Sequence, residues 1–395
     1  MPQKHFIERH ASKTLRRLSR AFPIIGLTGP RQAGKTTLAQ HHYPRKPYVS
    51  LENPDQLDFA RSDPKGFLAQ FPKGAILDEV QRCPSLFSYL QGLVDARGQM
   101  GQFVLTGSQQ FGFRAQLSQT LAGRIGLIHL LPFSLPELNA NGRSPLPLNE
   151  QLWKGFYPPM YDRDIQPNDW YANYTQTYIE RDVQQLIQIK DLNTFRTFLR
   201  ICAGRAGQII NLSGIGNDCG ISHNTVKEWL SVLEAGYIIF RLPPHFKNFS
   251  KRLIKSPKLY FYDTGLLCWL LGVKQPDQLS VNPLRGAIFE NFVISEVLKT
   301  QYANGDTPGL YFWRDNLGLE IDLIIDRGQT LIPVEIKAGQ TISQDFMKNL
   351  EKWKALAGKT AQSAFLVHGG EQAQKRTAAH ILSWNNLEPL LSKLA

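Results

Sequence analysis

Gly29-Pro30-Arg31-Gln32-Ala33-Gly34-Lys35-Thr36 constrains this chain more than any other stretch. It fits G-x-x-x-x-G-K-[ST], a loop whose backbone N–H groups cradle phosphate oxygens. Such a loop needs a buried strand before it and a helix after it. Ile24-Ile25-Gly26-Leu27 is a short apolar run of the kind that forms a buried parallel strand. Thr36-Thr37-Leu38-Ala39-Gln40 opens a helix whose positive end faces the loop. The expected ligand is a nucleotide with Mg²⁺. Gly29 through Thr37 would form its binding site, with Lys35 on the β- and γ-phosphates and Thr36 on the metal.

Two further strand ends complete the expected site. Gly74-Ala75-Ile76-Leu77-Asp78-Glu79 reads as a buried strand ending in two carboxylates. Asp78 would hold the Mg²⁺ shell, and Glu79 would orient or deprotonate the attacking water. Gln102-Phe103-Val104-Leu105 ends in Thr106-Gly107-Ser108. Thr106 or Ser108 would sense the γ-phosphate from that strand tip, although Thr-Gly-Ser also makes an ordinary turn. Apolar runs at 24–27, 48–51, 75–77, 103–105 and 127–131, separated by helical stretches, predict a doubly wound α/β sheet.

Charge narrows the partners. The 395 residues carry 45 basic and 33 acidic side chains, a net charge of +12 that suits a polyanion such as DNA. With no apolar run of membrane length and no signal-peptide pattern, the chain is expected to be cytoplasmic and to avoid membranes. The four cysteines have no paired C-x-x-C spacing and read as buried thiols.

A different module occupies about 191–250. Leu212–Cys219 after Asn211, then Gly220, then a helix from Thr225 to Ala235 with Ser222 as N-cap, followed by the apolar run 237–242, is the pattern of a winged helix-turn-helix. Val226, Trp229, Leu230 and Leu233 would face a core, leaving Ser222, His223, Asn224, Lys227 and Glu228 to face a DNA groove. A purely structural winged helix fits the same pattern. The stretch from His245 to Lys258 holds Lys247, Lys251, Arg252, Lys255 and Lys258 without an acid, interleaved with Phe246 and Phe249. It reads as a basic loop for phosphate backbones.

The last region carries a second signature. A helix from Arg285 to Lys299 precedes three strand-like runs at 310–314, 320–325 and 331–336. Asp322, twelve intervening residues, then Glu335-Ile336-Lys337 place Glu335 and Lys337 on one strand face, within reach of Asp322. Asp322 and Glu335 would bind Mg²⁺, and Lys337 would position water or stabilise charge on phosphate. Glu290 is an additional ligand candidate, and Glu320 shares the face of Asp322. Ordinary surface charges on an edge strand are the other reading of these residues.

Taken together, Thr28–Leu38, Leu77-Asp78-Glu79-Val80-Gln81, Leu105–Ser108, Leu121-Ala122-Gly123-Arg124, Tyr178–Asp182, Tyr260–Gly265 and Val334–Lys337 resemble a bacterial and archaeal family of AAA-type ATPases. The resemblance covers nearly the whole chain. Where that pattern has a Gly-Gly-Phe-Pro-like element, this chain reads Gly155-Phe156-Tyr157-Pro158. The resemblance implies an α/β architecture: a P-loop AAA-type ATPase domain (1–140), a helical linker or lid (141–190), a winged helix-turn-helix (191–255) and a PD-(D/E)XK restriction-endonuclease-like domain (256–395). It also implies a homo-oligomeric ring, expected to be a hexamer. Arg124 is the candidate arginine finger; a structural ion pair or a sensor in its own subunit are its other possible roles. The function expected is ATP-driven remodelling or translocation of branched or duplex DNA in repair or recombination. An ATP-regulated, metal-dependent nuclease of a defence or mobile-element system and a non-enzymatic nucleotide-switched regulator are the alternatives.

Overall fold

The computed structural model describes residues 6–107, 120–180, 191–245 and 255–394. The chain divides into two compact units, one made of Met1–Phe133, Ala235–Tyr237 and Gln301–Asp306 and the other of the remaining residues.

In the first unit, β1 (Ile24–Thr28), β2 (Tyr48–Ser50), β3 (Ile76–Asp78), β4 (Phe103–Gly107) and β5 (Ile125–His129) form one sheet in the order β2-β3-β4-β1-β5. Every pairing is parallel. Alternate side chains point to opposite faces of a strand, and the two faces here carry separate cores. Leu77, Phe103 and Leu105 pack with Phe67, Phe87 and Leu90 on one side. Ile25, Leu27, Ile76 and Val104 pack with Leu15 and Leu38 on the other. Burial on both faces explains why the strands read as continuous apolar runs without alternation. The chain leaves β1 to one side towards β2 and later crosses back to β5, so the strand order reverses at β1. Open α/β sheets place their ligands outside the carboxyl end of such a strand.

The second unit begins with short helices and an aromatic group in which Tyr157, Trp170, Tyr171 and Tyr174 pack together. The helix Pro167–Tyr174 runs into a π-helical turn, Thr175–Ile179; residues 181–190 of the expected helical linker lie outside the described residues. Three helices follow, at Leu192–Gly204, Leu212–Cys219 and His223–Ala235. Asn211 caps the second through Gly214 N at 3.0 Å, and Ser222 Oγ accepts from Thr225 N at 3.1 Å. The two glycines that interrupt the second helix have a reason at Gly216. A Cβ there would stand 2.6 Å from the Ile221 carbonyl oxygen, so the tight turn between the helices demands glycine. Trp229 packs edge-on to Phe195 and Phe198. Strands β6 (Ile239–Leu242) and β7 (Lys258–Phe261) then pair antiparallel, and Ile209 bridges to Lys258.

A long helix, Arg285–Asn304, precedes a six-stranded mixed sheet. Its members are β8 (Leu310–Arg314), β9 (Glu320–Asp326), β10 (Leu331–Lys337), β11 (Phe365–His368), β12 (Gln374–Lys375) and β13 (His380–Ser383). β8, β9 and β10 form an antiparallel meander, and β10, β11 and β13 run parallel. The helix Asp345–Ala357 covers one face by burying Met347, Leu350 and Trp353 against Trp313, Ile324 and Leu366. Among the described residues no helix is long and apolar enough to cross a membrane.

Candidate functional site

The phosphate-binding motif lies at the carboxyl end of β1. Gly29 has φ 149°, and a Cβ there would fall 2.0 Å from the Leu130 carbonyl oxygen, so the loop passes this point only as glycine. Gly34, with φ 90°, turns the chain into the helix Lys35–His42. Lys35 is buried, and its ammonium donates to the carbonyls of Gly29 at 3.0 Å and Pro30 at 2.7 Å. Arg31 reaches Glu52 at 3.8 Å.

Asp78 ends β3 and collects hydroxyl donors from three strands or helices. Thr36 Oγ1 stands 3.1 and 3.2 Å from its two carboxylate oxygens, Tyr48 OH donates at 2.8 Å, and Thr106 Oγ1 donates to Oδ1. Lys35, Thr36, Asp78 and Thr106 thus belong to one locus at the strand tips. Tyr48 was not apparent from sequence. Burial and the neighbouring Asp78 push its phenol up to about 12, so it stays a hydrogen-bond donor at any physiological pH. Glu79 sits in the left-handed region (φ 55°, ψ 42°), a conformation that costs a non-glycine residue roughly 1 kcal/mol or more. Its Oε2 accepts from Gln81 Nε2 at 2.6 Å, a second contact that sequence reasoning missed. Ser108 lies outside the described residues.

Arg124 is placed differently. Its guanidinium makes a two-pronged pair with Asp95, at 2.7 and 2.8 Å, and bonds Ala122 O; among the described residues it shares no hydrogen bond with the P-loop. The paired guanidinium holds the Asp95 carboxyl below its ordinary value.

The second signature folds into a buried charge cluster. Lys337 Nζ lies 2.6 Å from Glu335 Oε1 and 3.7 Å from Asp322 Oδ2, and Asp322 Oδ2 also accepts from Ile336 N at 2.7 Å. Glu290 and Glu320 are held by a residue that sequence assigned elsewhere. Lys258 Nζ is 3.1 Å from Glu290 Oε1 and 2.6 Å from Glu320 Oε1, and Tyr260 OH also donates to Glu290. Lys258 therefore corrects the reading of 245–258 as one exposed basic loop. It is a strand residue with 4% of its side chain exposed, and His245 at the other end is buried against Asp326 at 3.0 Å. Residues 246–254, with Lys247, Lys251, Arg252, Phe246 and Phe249, lie outside the described residues.

Burial, reinforced by Asp322, lifts the Glu335 carboxyl to about 8 and Glu290 to about 7. Burial alone would lower Lys258, but Glu290, Asp322 and Glu320 hold it charged. One oxygen of Glu335, Oε2, has no hydrogen-bond partner although the residue is 2% exposed. Among the described residues no three acidic, histidine or cysteine side chains converge to hold a metal ion. Asp322, Glu335 and Glu290 therefore do not form a ligand set in this arrangement, because Lys337 and Lys258 stand among them.

Comparison with known proteins gives matches over three parts of the chain. Residues 21–139 match the family described as AAA domain, 147–277 match a domain of unknown function (DUF8612), and 285–387 match another (DUF4143). An uncharacterized protein of Mycobacterium tuberculosis is 31% identical over 339 residues, covering 85% of this chain and 75% of the relative. This chain belongs to the same AAA-type ATPase family. A Haemophilus influenzae relative, also uncharacterized, is 24% identical over 213 residues, covering 51% of this chain and 52% of that one. Among solved structures, a Walker-type ATPase of Pyrococcus abyssi aligns over 68% of this chain and 97% of its own (TM-score 0.45, 15% identity). The RuvB Holliday junction branch migration motor of Thermotoga maritima aligns over 60% and 91% (TM-score 0.28, 18% identity). As a family member, the chain carries a P-loop ATPase fold in its first unit.

Proposed function

We propose that this chain hydrolyses ATP to remodel or translocate branched or duplex DNA during repair or recombination, working in the cytoplasm as a homo-oligomeric ring, expected to be a hexamer. The observation that carries the ATPase half is the meeting of Thr36, Thr106 and Asp78 beside Lys35 at the carboxyl end of a parallel sheet. Thr36 and Asp78 would hold Mg²⁺, which supplies charge neutralisation across the β- and γ-phosphates. The loop from Gly29 to Thr37 would seat the phosphates, and Lys35 would exchange its loop carbonyls for γ-phosphate oxygens. Glu79, once released by Gln81, would orient the attacking water. Arg124 would approach the neighbouring subunit's nucleotide as a finger, which requires leaving Asp95.

The DNA half is supported by the net charge and by the helix His223–Ala235. Ser222, His223, Asn224, Lys227 and Glu228 are exposed, while Val226, Trp229, Leu230 and Leu233 on the same segment are buried. With the helices before it and the β6–β7 pair after it, this segment has the order of a winged helix-turn-helix and would read a groove.

The test is ATP turnover by the purified chain with single-stranded, duplex and four-way-junction DNA, with the DNA resolved on a gel. Junction-stimulated turnover that separates strands without cutting them is the expected result. Salt-insensitive binding, or none, would remove DNA from the proposal. A second reading, an ATP-regulated metal-dependent nuclease, is favoured by one observation, the unpartnered Glu335 oxygen beside Lys337. Divalent-dependent cutting that disappears in Lys337→Ala would make it primary. Salt-dependent DNA binding without turnover or cutting would leave the nucleotide-switched regulator.

A further inference from the structure

The root of the phosphate loop is held by a residue from far along the chain. β1 ends at Thr28, and Gly29 opens the loop. Thr28 Oγ1 lies 2.8 Å from Tyr237 OH and 2.9 Å from His129 Nδ1, and the Tyr237 hydroxyl lies 2.8 Å from the same His129 nitrogen. His129 ends β5, the strand beside β1. Leu130, which follows it, donates its N–H to the Thr28 carbonyl at 2.7 Å and sets its own carbonyl against Gly29. The three polar groups therefore tie together the carboxyl ends of two neighbouring strands, one residue before the loop begins.

The local sequence does not favour Tyr237 for its backbone position. Its backbone is left-handed (φ 57°), although Gly236 beside it does not take a positive φ. A residue with a β-carbon keeps that conformation only where its surroundings over-determine it. Tyr237 is fully buried, and its hydroxyl meets Thr28 and His129 there. Ala235–Tyr237 belong to the first unit, whereas the rest of the helix His223–Ala235 and β6 belong to the second. Three residues thus leave the second unit's stretch of chain, and the last of them is bonded at the root of the loop.

We propose that Tyr237 is a positioning residue of the nucleotide site. Its hydroxyl fixes Thr28, and through Thr28 the direction in which β1 delivers Gly29 to the phosphates. The backbone N–H groups of such a loop act by being aimed before charge develops on the phosphoryl group. A root free to shift therefore weakens the transition state more than the bound nucleotide. The residue is supplied from outside 21–139, the part matched as AAA domain, so the loop is shaped by a segment that this part does not contain. The inference rests on reading the first unit as an ATPase.

The test uses the full chain as wild type, Tyr237→Phe, Thr28→Val and the double variant. Phe keeps the ring and the left-handed backbone and removes only the hydroxyl. Each single variant is expected to lower kcat for ATP about threefold to tenfold, with KM changed by about twofold or less. The double variant is expected to lose no more than the weaker single, because both break the same bond. Unchanged kcat in Tyr237→Phe, or losses that multiply in the double variant, would overturn the proposal. Hydrogen exchange without nucleotide reads the same bond independently of turnover. The peptide covering 28–36 is expected to exchange several-fold faster in Tyr237→Phe, with peptides covering β3 unchanged. Unchanged exchange in the loop, or an equal rise in β3, would overturn it. Should Tyr237→Phe not fold, Thr28→Val carries both measurements from the other side of the bond. A wild type that turned over no ATP would overturn the ATPase reading, and the exchange experiment would still decide whether Tyr237 positions the loop.

Discussion

Asp78 and Glu335 are both buried carboxylates at strand positions, but they are satisfied in opposite ways. Asp78 is met only by hydroxyls among the described residues, from Thr36, Tyr48 and Thr106. Glu335, like Glu290 and Glu320, is met by a lysine. A carboxylate surrounded by neutral donors keeps its whole negative charge to offer an incoming ion. One paired with an ammonium must first give that partner up. On the proposed function the first site would take a metal-bound nucleotide without losing a partner, whereas the carboxylates of the second are already neutralised from within.

The largest expected effect tests the first site. Lys35→Ala should lower ATP turnover by roughly 100-fold or more, because on the proposed function the ammonium that would face the transferring phosphoryl group is removed. Turnover near wild type in a steady-state assay would break the comparison at its stronger end.

Mixing experiments sharpen it next. Glu79→Gln and Arg124→Ala should each reduce turnover by about 100-fold when pure. In mixed assemblies part of the activity should return, since a wild-type Glu79 would then meet a neighbour's wild-type Arg124. No recovery on mixing would confine Arg124 to its pair with Asp95.

The self-neutralised cluster should reveal itself through pH. Glu335 and Glu290 ionise at about 8 and about 7 when folded, against 4.5 for an ordinary glutamate. For acids shifted upward, the folded chain binds more protons than the unfolded one. Their contribution to stability is therefore complete below pH 4.5 and is lost as pH rises towards 8. Urea unfolding followed by tryptophan fluorescence should show stability falling across that window, and Glu335→Gln should flatten the fall. A stability that rises across the window would mean the lysines over-compensate the burial.

The smallest effect concerns Tyr48. Removing its hydroxyl in Tyr48→Phe deletes one of three donors to Asp78 and should cost about 1 kcal/mol, read as a roughly fivefold loss in kcat with nucleotide affinity little changed. A loss as large as that of Lys35→Ala would make Tyr48 part of the chemistry.

Much of this arrangement was readable from local pattern. The runs at 24–27, 75–77 and 103–105 became β1, β3 and β4 because both faces of the sheet are covered and apolar continuity suffices to mark them. The meander at 310–337 appeared almost to the residue, since each strand is a short, mostly apolar run and the breaks between the runs are short-range signals. Lys258 and Tyr48 were not readable for the same physical reason. Lys258 lies among cations in sequence and among anions in space, through contacts with Glu290 and Glu320 that no periodicity encodes. Tyr48 opens a strand of three residues, too short for alternation to show which way its hydroxyl points. Gln81 was in view as part of a motif, but its role depends on the left-handed turn at Glu79, where residue preference would have suggested glycine or asparagine.

Strand β1 has a consequence for how the protein is made. Ile24 pairs on one side with Phe103 and on the other with Ile125, and the loop that follows β1 is closed by the carbonyl of Leu130 against Gly29. The phosphate loop is thus synthesised before the segments that shape it. Until β4 has been synthesised both edges of this apolar strand are open, and one stays open until β5 follows. Contacts of such long sequence separation form slowly, and exposed edges are where nascent chains aggregate. Nucleotide cannot assist the earliest steps of folding, because its cradle is completed only when the sheet is.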